Sequence, residues 1–233
     1  MKKHYPWLWF DADNTLFNYN KAESTALLRS FALHNLTFDE AYMDTYRRIN
    51  QNLWHSLEKQ EIKVDILRVL RFEQFLEAIK VSGPAEALSV TYIEQLGRCT
   101  DLMDGAQEVL ETLSKTSRIA IVTNGLQAVQ RSRLDLSTIK PFISELIISE
   151  EIGAAKPHTA FFETASARCG NPSKDGILII GDSLSSDMRG GVNYGIDTCW
   201  FNPNGEAKPQ NLAITYEIRE LRELLSDIPI MTL

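Results

Sequence analysis

Four short clusters hold the residues of this sequence best suited to chemistry. They are Asp11-Ala12-Asp13-Asn14-Thr15, Thr123-Asn124-Gly125, Lys156-Pro157, and Gly181-Asp182-Ser183 followed by Asp187. Brought to one place, they would supply four carboxylates, a hydroxyl and an ammonium. Carboxylates packed together repel, so such a cluster needs positive charge, and oxygen donors of this kind suit Mg²⁺ beside Lys156. Each piece alone has an ordinary explanation. An Asp after a strand commonly caps a helix, Thr-Asn-Gly makes a turn, and a single Lys is usually solvated. Their joint occurrence, in order, is what points to a reactive site.

The clusters share one placement, since each comes after a short apolar run or the loop beyond it. The runs are Trp7 to Phe10, Ile119 to Val122, Leu146 to Ile148, Ile177 to Ile180 and Thr198 to Phe201. Runs of this length, apolar on both faces, predict strands of a parallel sheet covered on both sides. Helix-length amphipathic stretches lie between the later ones: Ala106 to Leu113, Gln127 to Leu134, Phe161 to Arg168 and Ser186 to Tyr194. A last strand near Ile214 to Ile218 and a helix from Arg219 to Leu225 complete an α/β, doubly wound, Rossmann-like parallel sheet. Ligands bind beyond the carboxyl ends of such strands, where the four clusters begin.

One connection is far too long for an ordinary crossover, the roughly hundred residues between the first run and Ile119. Tyr46, Ile49, Leu53, Trp54 and Leu57 recur at helical spacing, as do Ile66, Val69 and Leu70, then Phe72, Phe75, Leu76 and Ile79. Thr37 with Glu40 resembles a capping box opening the first of these helices, and Ser82-Gly83-Pro84 ends the second. The division expected is a catalytic core of residues 1–17 and 99–233, with an inserted helical cap at 18–98.

In this arrangement the chain resembles the haloacid dehalogenase-like superfamily, specifically its Mg²⁺-dependent phosphohydrolases. The resemblance implies that Asp11 is the nucleophile, Asp13 the general acid and base, and Thr123 and Lys156 catalytic ligands of the phosphate. It makes Asp182 a metal ligand and sets Asp187 behind the metal, orienting a bound water or Lys156. Phosphoryl transfer needs positioning and charge neutralisation above all, which these residue types supply. A carboxylate nucleophile splits hydrolysis into two easier steps, and a second carboxylate two residues on can give a proton and later take one. Mg²⁺ held by Asp11, the Asp13 carbonyl and Asp182 would screen the nucleophile from the phosphate.

Finer likenesses lie in Ile148 to Gly153, Gly190-Gly191, Cys199-Trp200-Phe201-Asn202, Asn50 to Trp54 and Arg71-Phe72. These are similar to the pyrimidine 5′-nucleotidases, and imply a pyrimidine nucleoside 5′-monophosphate as the small-molecule substrate. Thr123, Asn124 and Lys156 would then bind the substrate, and Asn50, polar on an apolar stripe, would face the nucleoside. One departure is Lys59-Gln60-Glu61, where such proteins commonly place a Gly. The alternatives are a sugar-phosphate or phosphoglycolate phosphatase, a phosphomutase, or a non-catalytic protein retaining the fold. A dehalogenase is disfavoured, because by resemblance those enzymes lack the carboxylate that Asp13 supplies.

Composition excludes other classes. The 233 residues carry 24 Lys and Arg against 31 Asp and Glu, a net charge of −7, with no basic run. Nucleic acid is therefore not the expected partner. The 3 cysteines are scattered and form no CxxC pair, which argues against a disulfide framework or zinc site. The apolar run after Lys2 and Lys3 is too short for a signal peptide, and no stretch approaches a membrane span. A cytoplasmic protein is expected.

Overall fold

The computed structural model describes residues 3–59 and 61–226. Gln60, in the loop that departs from the nucleotidase pattern, lies outside them. The chain divides into two compact units, one made of the residues up to Tyr19 and from Thr100 onward, the other of Asn20–Cys99.

The first unit is built on six strands: β1 (Trp7–Phe10), β2 (Arg118–Thr123), β3 (Glu145–Ile148), β4 (Ile177–Gly181), β5 (Asp197–Phe201) and β6 (Tyr216–Ile218). All neighbouring pairs are parallel, in the order β3-β2-β1-β4-β5-β6. Successive side chains of a strand face opposite ways, so each strand feeds two cores. Leu8, Phe10, Ile119, Ile121, Leu178 and Ile180 pack on one face with Ala106, Val109, Leu110 and Leu113 of a helix at Ala106–Leu113. Trp7, Trp9, Ala120, Val122, Ile177 and Ile179 pack on the other with Phe161, Phe162 and Ala165 of a helix at Thr159–Arg168. Apolar burial on both faces explains why these strands read as unbroken apolar runs.

The chain leaves β1 for β2 and β3 on one side, then returns to β4 on the other. Such a reversal opens a crevice beyond the carboxyl end of β1, flanked by β2 and β4. Leu126 leads into a helix at Gln127–Leu136, and Ser149–Ile152 forms a single turn after β3. The stretch expected as one helix from Ser186 is instead a wide π-type turn at Leu184–Met188, followed by a regular helix at Arg189–Tyr194. Such turns insert a residue to re-aim a side chain, here the wholly buried Asp187. The last helix is shorter than expected, Glu223–Ser226, because Arg219 and Glu220 donate their backbone N–H groups to the Glu223 carboxylate ahead of it.

The second unit holds four helices: α1 (Tyr19–Leu33, whose first residue belongs to the sheet unit), α2 (Met43–Glu58), α3 (Val64–Ile79) and α4 (Ala85–Gly97). In chain order the later helices are α5 (Ala106–Leu113), α6 (Gln127–Leu136), α7 (Ser149–Ile152), α8 (Thr159–Arg168), α9 (Arg189–Tyr194) and α10 (Glu223–Ser226). Aromatic side chains fill the second unit, with Tyr46 and Phe75 5.2 Å apart edge to face and Phe72 and Tyr92 5.4 Å apart. Two local expectations are corrected. Asp39, not Thr37, caps the chain at this point, accepting from the Ala41 N–H at 2.9 Å, and α2 starts later, at Met43. Ile66 is 53% exposed, and Leu67 takes the buried place on α3.

Candidate active site

Asp11 is the first residue beyond β1, and its N–H donates to the Ile180 carbonyl at 2.8 Å, extending the ladder by one step. This fixes the backbone from which the carboxylate projects. Lys156, 1% exposed, sends its ammonium between strands. Nζ donates to Asp11 Oδ1 at 2.6 Å, Asp187 Oδ1 at 2.6 Å and the Val122 carbonyl at 2.7 Å, which uses all three of its protons. The other Asp187 oxygen accepts from the Ser183 N–H at 3.1 Å. Gly181 makes this approach possible, since a Cβ there would fall 2.3 Å from Asp187 Oδ2.

Asn124 clasps the Lys156 backbone from both sides. Its Nδ2 donates to the Lys156 carbonyl and its Oδ1 accepts from the Lys156 N–H, each at 2.9 Å. Thr123 is buried at the end of β2, and its Oγ1 accepts from the Gly125 N–H at 3.0 Å, so its own proton stays available to an acceptor. Asp182 comes directly after β4; its carbonyl accepts from the Trp200 indole N–H at 2.9 Å.

The electrostatics are unbalanced. Burial pushes the Asp11 carboxyl well above the ordinary carboxylate range; Lys156 pulls it back, while Asp187, Asp182 and Asp13 push it further up. Burial also acts against the Lys156 charge, yet Asp11 and Asp187 outweigh it and hold the ammonium above its usual value. Burial, then Asp187, raises Asp182 to about 7. The Lys156 ammonium meets two carboxylates, and Asp182 adds a third.

Oxygens of Asp11, Asp182 and Asp187 lie within 4.8 Å of one another. Three carboxylates and one ammonium leave a net charge of −2, the deficit a divalent cation fills with hard oxygen ligands. The donor set therefore fits Mg²⁺, with Asp11 and Asp182 best placed to hold it, because both Asp187 oxygens are already engaged.

Asp13 stands apart from that trio. Its Oδ2 accepts from Gln130 Nε2 at 2.7 Å, and its Oδ1 pairs with the Arg133 guanidinium. Sequence reasoning missed Gln130 and Arg133. Their signal was weak but present, an amide and a cation three residues apart on α6, on the same face as the buried Val129 and Leu134. Asn50 belongs to the helical unit. There Nδ2 donates to Glu23 Oε1 at 3.4 Å and Oδ1 accepts from Arg71 at 3.5 Å, two long contacts inside a buried polar group.

Comparison with known proteins points the same way. Residues 8–201 match the family described as haloacid dehalogenase-like hydrolase. The chain is 33% identical over 220 residues to the pyrimidine 5′-nucleotidase YjjG of Escherichia coli (strain K12), covering 94% of this chain and 96% of that one. It is 32% identical over 222 residues to the pyrimidine 5′-nucleotidase PynA of Streptococcus pneumoniae (strain ATCC BAA-255 / R6), covering 95% and 94%. Among solved structures, the magnesium-bound putative HAD-hydrolase YfnB of Bacillus subtilis superposes with a TM-score of 0.91 at 34% identity, over 98% of this chain and 100% of that one. With a parallel sheet reversing at β1 and carboxylates at its strand ends, this chain belongs to the haloacid dehalogenase-like hydrolase family.

Proposed function

We propose that the protein is a Mg²⁺-dependent phosphomonoesterase that works through an aspartyl-phosphate on Asp11, with pyrimidine nucleoside 5′-monophosphates as its substrate class. The observation that carries the chemistry is the Lys156 ammonium fixed against Asp11 and Asp187, with Asp13 two residues beyond Asp11. The nucleotide assignment rests on the two relatives named as pyrimidine 5′-nucleotidases.

In the first step an Asp11 oxygen bonds to phosphorus while the bond from phosphorus to the ester oxygen breaks. The leaving alkoxide takes a proton from the Asp13 carboxylic acid. In the second step a water oxygen attacks phosphorus and gives its proton to the Asp13 carboxylate, and the Asp11–phosphorus bond breaks. The proton spent in the first step is thereby restored. Lys156 holds Asp11 Oδ1, so the second carboxylate oxygen carries the attack, and the Thr123 hydroxyl donates to a phosphate oxygen. Asn124 contributes by fixing the Lys156 backbone, and Asp187 by fixing its ammonium. Mg²⁺ bound by Asp11, the Asp13 carbonyl and Asp182 would supply charge neutralisation between nucleophile and phosphate.

Choice among esters is assigned to the inserted helical segment at 18–98, with Asn50 as its reading residue. The burial of Cys99, Cys169 and Cys199 supports action in a reducing, cytoplasmic setting. Among the described residues, no helix is long and apolar enough to cross a membrane.

The test is a panel of nucleoside monophosphates, sugar phosphates and phosphoglycolate, ranked by kcat/KM with Mg²⁺ present. Pyrimidine monophosphates should lead the ranking, and Asn50→Ala should lower their values several-fold while sparing a small aryl phosphate. A sugar phosphate or phosphoglycolate at the top would overturn the substrate assignment. No turnover of any member would overturn the enzymatic one.

A further inference from the structure

We infer that Gln130 and Arg133 of α6 are positioning residues that hold the Asp13 carboxylate in place, one on each of its oxygens. The inference rests on the assignment of Asp13 as acid and base and deepens it.

Arg133 is wholly buried, and its guanidinium lies 5.2 Å from the Phe17 ring centroid. Its Nε and one terminal nitrogen are buried without a hydrogen-bond partner among the described residues, and the carboxylate it pairs with there is Asp13. A buried guanidinium is expensive unless its charge is met, and the Asp13 carboxylate meets it here. Guanidinium groups only donate, so the Asp13 oxygen facing Arg133, Oδ1, is the acceptor of this pair.

Gln130, 2% exposed, meets the other oxygen at 2.7 Å. Each Asp13 oxygen therefore has its own partner on α6, and the two together fix where the carboxylate lies.

The turn after β2 is shaped to let Gln130 through. A Cβ on Gly125 would fall 2.2 Å from Gln130 Nε2 and 3.0 Å from its Cδ. Gly125→Ala should therefore dislodge the Gln130 amide, the free end of a flexible side chain, and leave its chemistry unchanged.

The experiment compares Gln130→Met, Gly125→Ala and Arg133→Met, each alone and combined with Asp13→Asn. Two probes are used, a pyrimidine nucleoside monophosphate and p-nitrophenyl phosphate. Each single variant should lower kcat for the nucleotide at least tenfold with KM little changed. With the aryl ester, whose leaving group needs no proton, nitrophenolate should appear as a burst of one equivalent before a slow steady rate, because the second step still needs Asp13. In the Asp13→Asn background the same substitutions should cost less than twofold. Arg133→Met removes a buried charge partner, and if it does not fold, the other two variants carry the test. A full further loss in the Asp13→Asn background would show that α6 acts through packing, and would overturn the inference. Unchanged kcat in the single variants would overturn it too. If Asp13→Asn itself leaves both probes unaffected, the acid and base assignment fails first, a result distinct from either.

Discussion

Replacing Lys156 with methionine keeps the length of the side chain and deletes its charge, so it tests the electrostatics of the site directly. The ammonium is 1% exposed and bridges Asp11 and Asp187 at 2.6 Å each. Removing one member of a buried ion pair typically costs about 3–5 kcal/mol. The loss has a ceiling, because the site can take up a proton instead. Neutralising a carboxylate of ordinary pKa near 3.9 at pH 7 costs about 4 kcal/mol, and at pH 5 about 1.5 kcal/mol. The expected destabilisation is therefore about 3–4 kcal/mol at pH 7 and about 1–2 kcal/mol at pH 5. The sign comes from linkage. Acids whose folded pKa is raised lend stability below their unfolded pKa and lose it as pH rises through the folded value, so the variant falls behind the wild type with increasing pH. Urea unfolding read by tryptophan fluorescence suits the measurement, since Trp9 and Trp200 are buried in the sheet unit. A cost below 1 kcal/mol at pH 7, or the same cost at pH 5 and pH 8, would refute the reasoning.

Two other outcomes rest on the same geometry. Gly181→Ala should destabilise by about 1–3 kcal/mol, the usual range for overpacking, and lower kcat at least tenfold, because Asp187 has no room to withdraw from a Cβ 2.3 Å away; thermal melting and steady-state kinetics would show it, and wild-type values would refute it. With Asp182 raised to about 7, binding of Mg²⁺ should displace a proton below that pH, so the apparent Kd should rise about tenfold per pH unit as pH falls from 7 to 5. Titration calorimetry in buffers of different ionisation enthalpy would report the proton, and a pH-independent Kd would contradict the raised Asp182 value.

How much could be read from the sequence depends on which residues the fold hides. Trp7 to Phe10 and Ile177 to Ile180 announce strands because both faces are buried, leaving no polar residue in the run. α1 gives no such sign: Glu23 and Ser30 occupy its buried face while Leu28 and Leu33 are 54% and 63% exposed, so its apolar spacing is scrambled. The π-type turn before α9 is invisible to a period of 3.6 residues. In the site, Asp11, Asp13 and Asp182 betray themselves by standing just beyond the end of an apolar strand. Gln130 and Arg133 do not, because they reach the site from within a helix, where a polar residue on the inner face looks like an irregularity of packing. Only the measured approach to Asp13 distinguishes them.

Under the proposed mechanism, Asp11 becomes phosphorylated during turnover. Rapid acid quenching of the enzyme with a ³²P-labelled substrate, followed by peptide mapping, tests it most directly. Label is expected on the peptide containing Asp11 in the wild type, more of it in Asp13→Asn, and none in Asp11→Asn, whose turnover should vanish while its fold persists. Protein free of label throughout, or Asp11→Asn turning over within tenfold of wild type, about 1.4 kcal/mol in barrier, would contradict it.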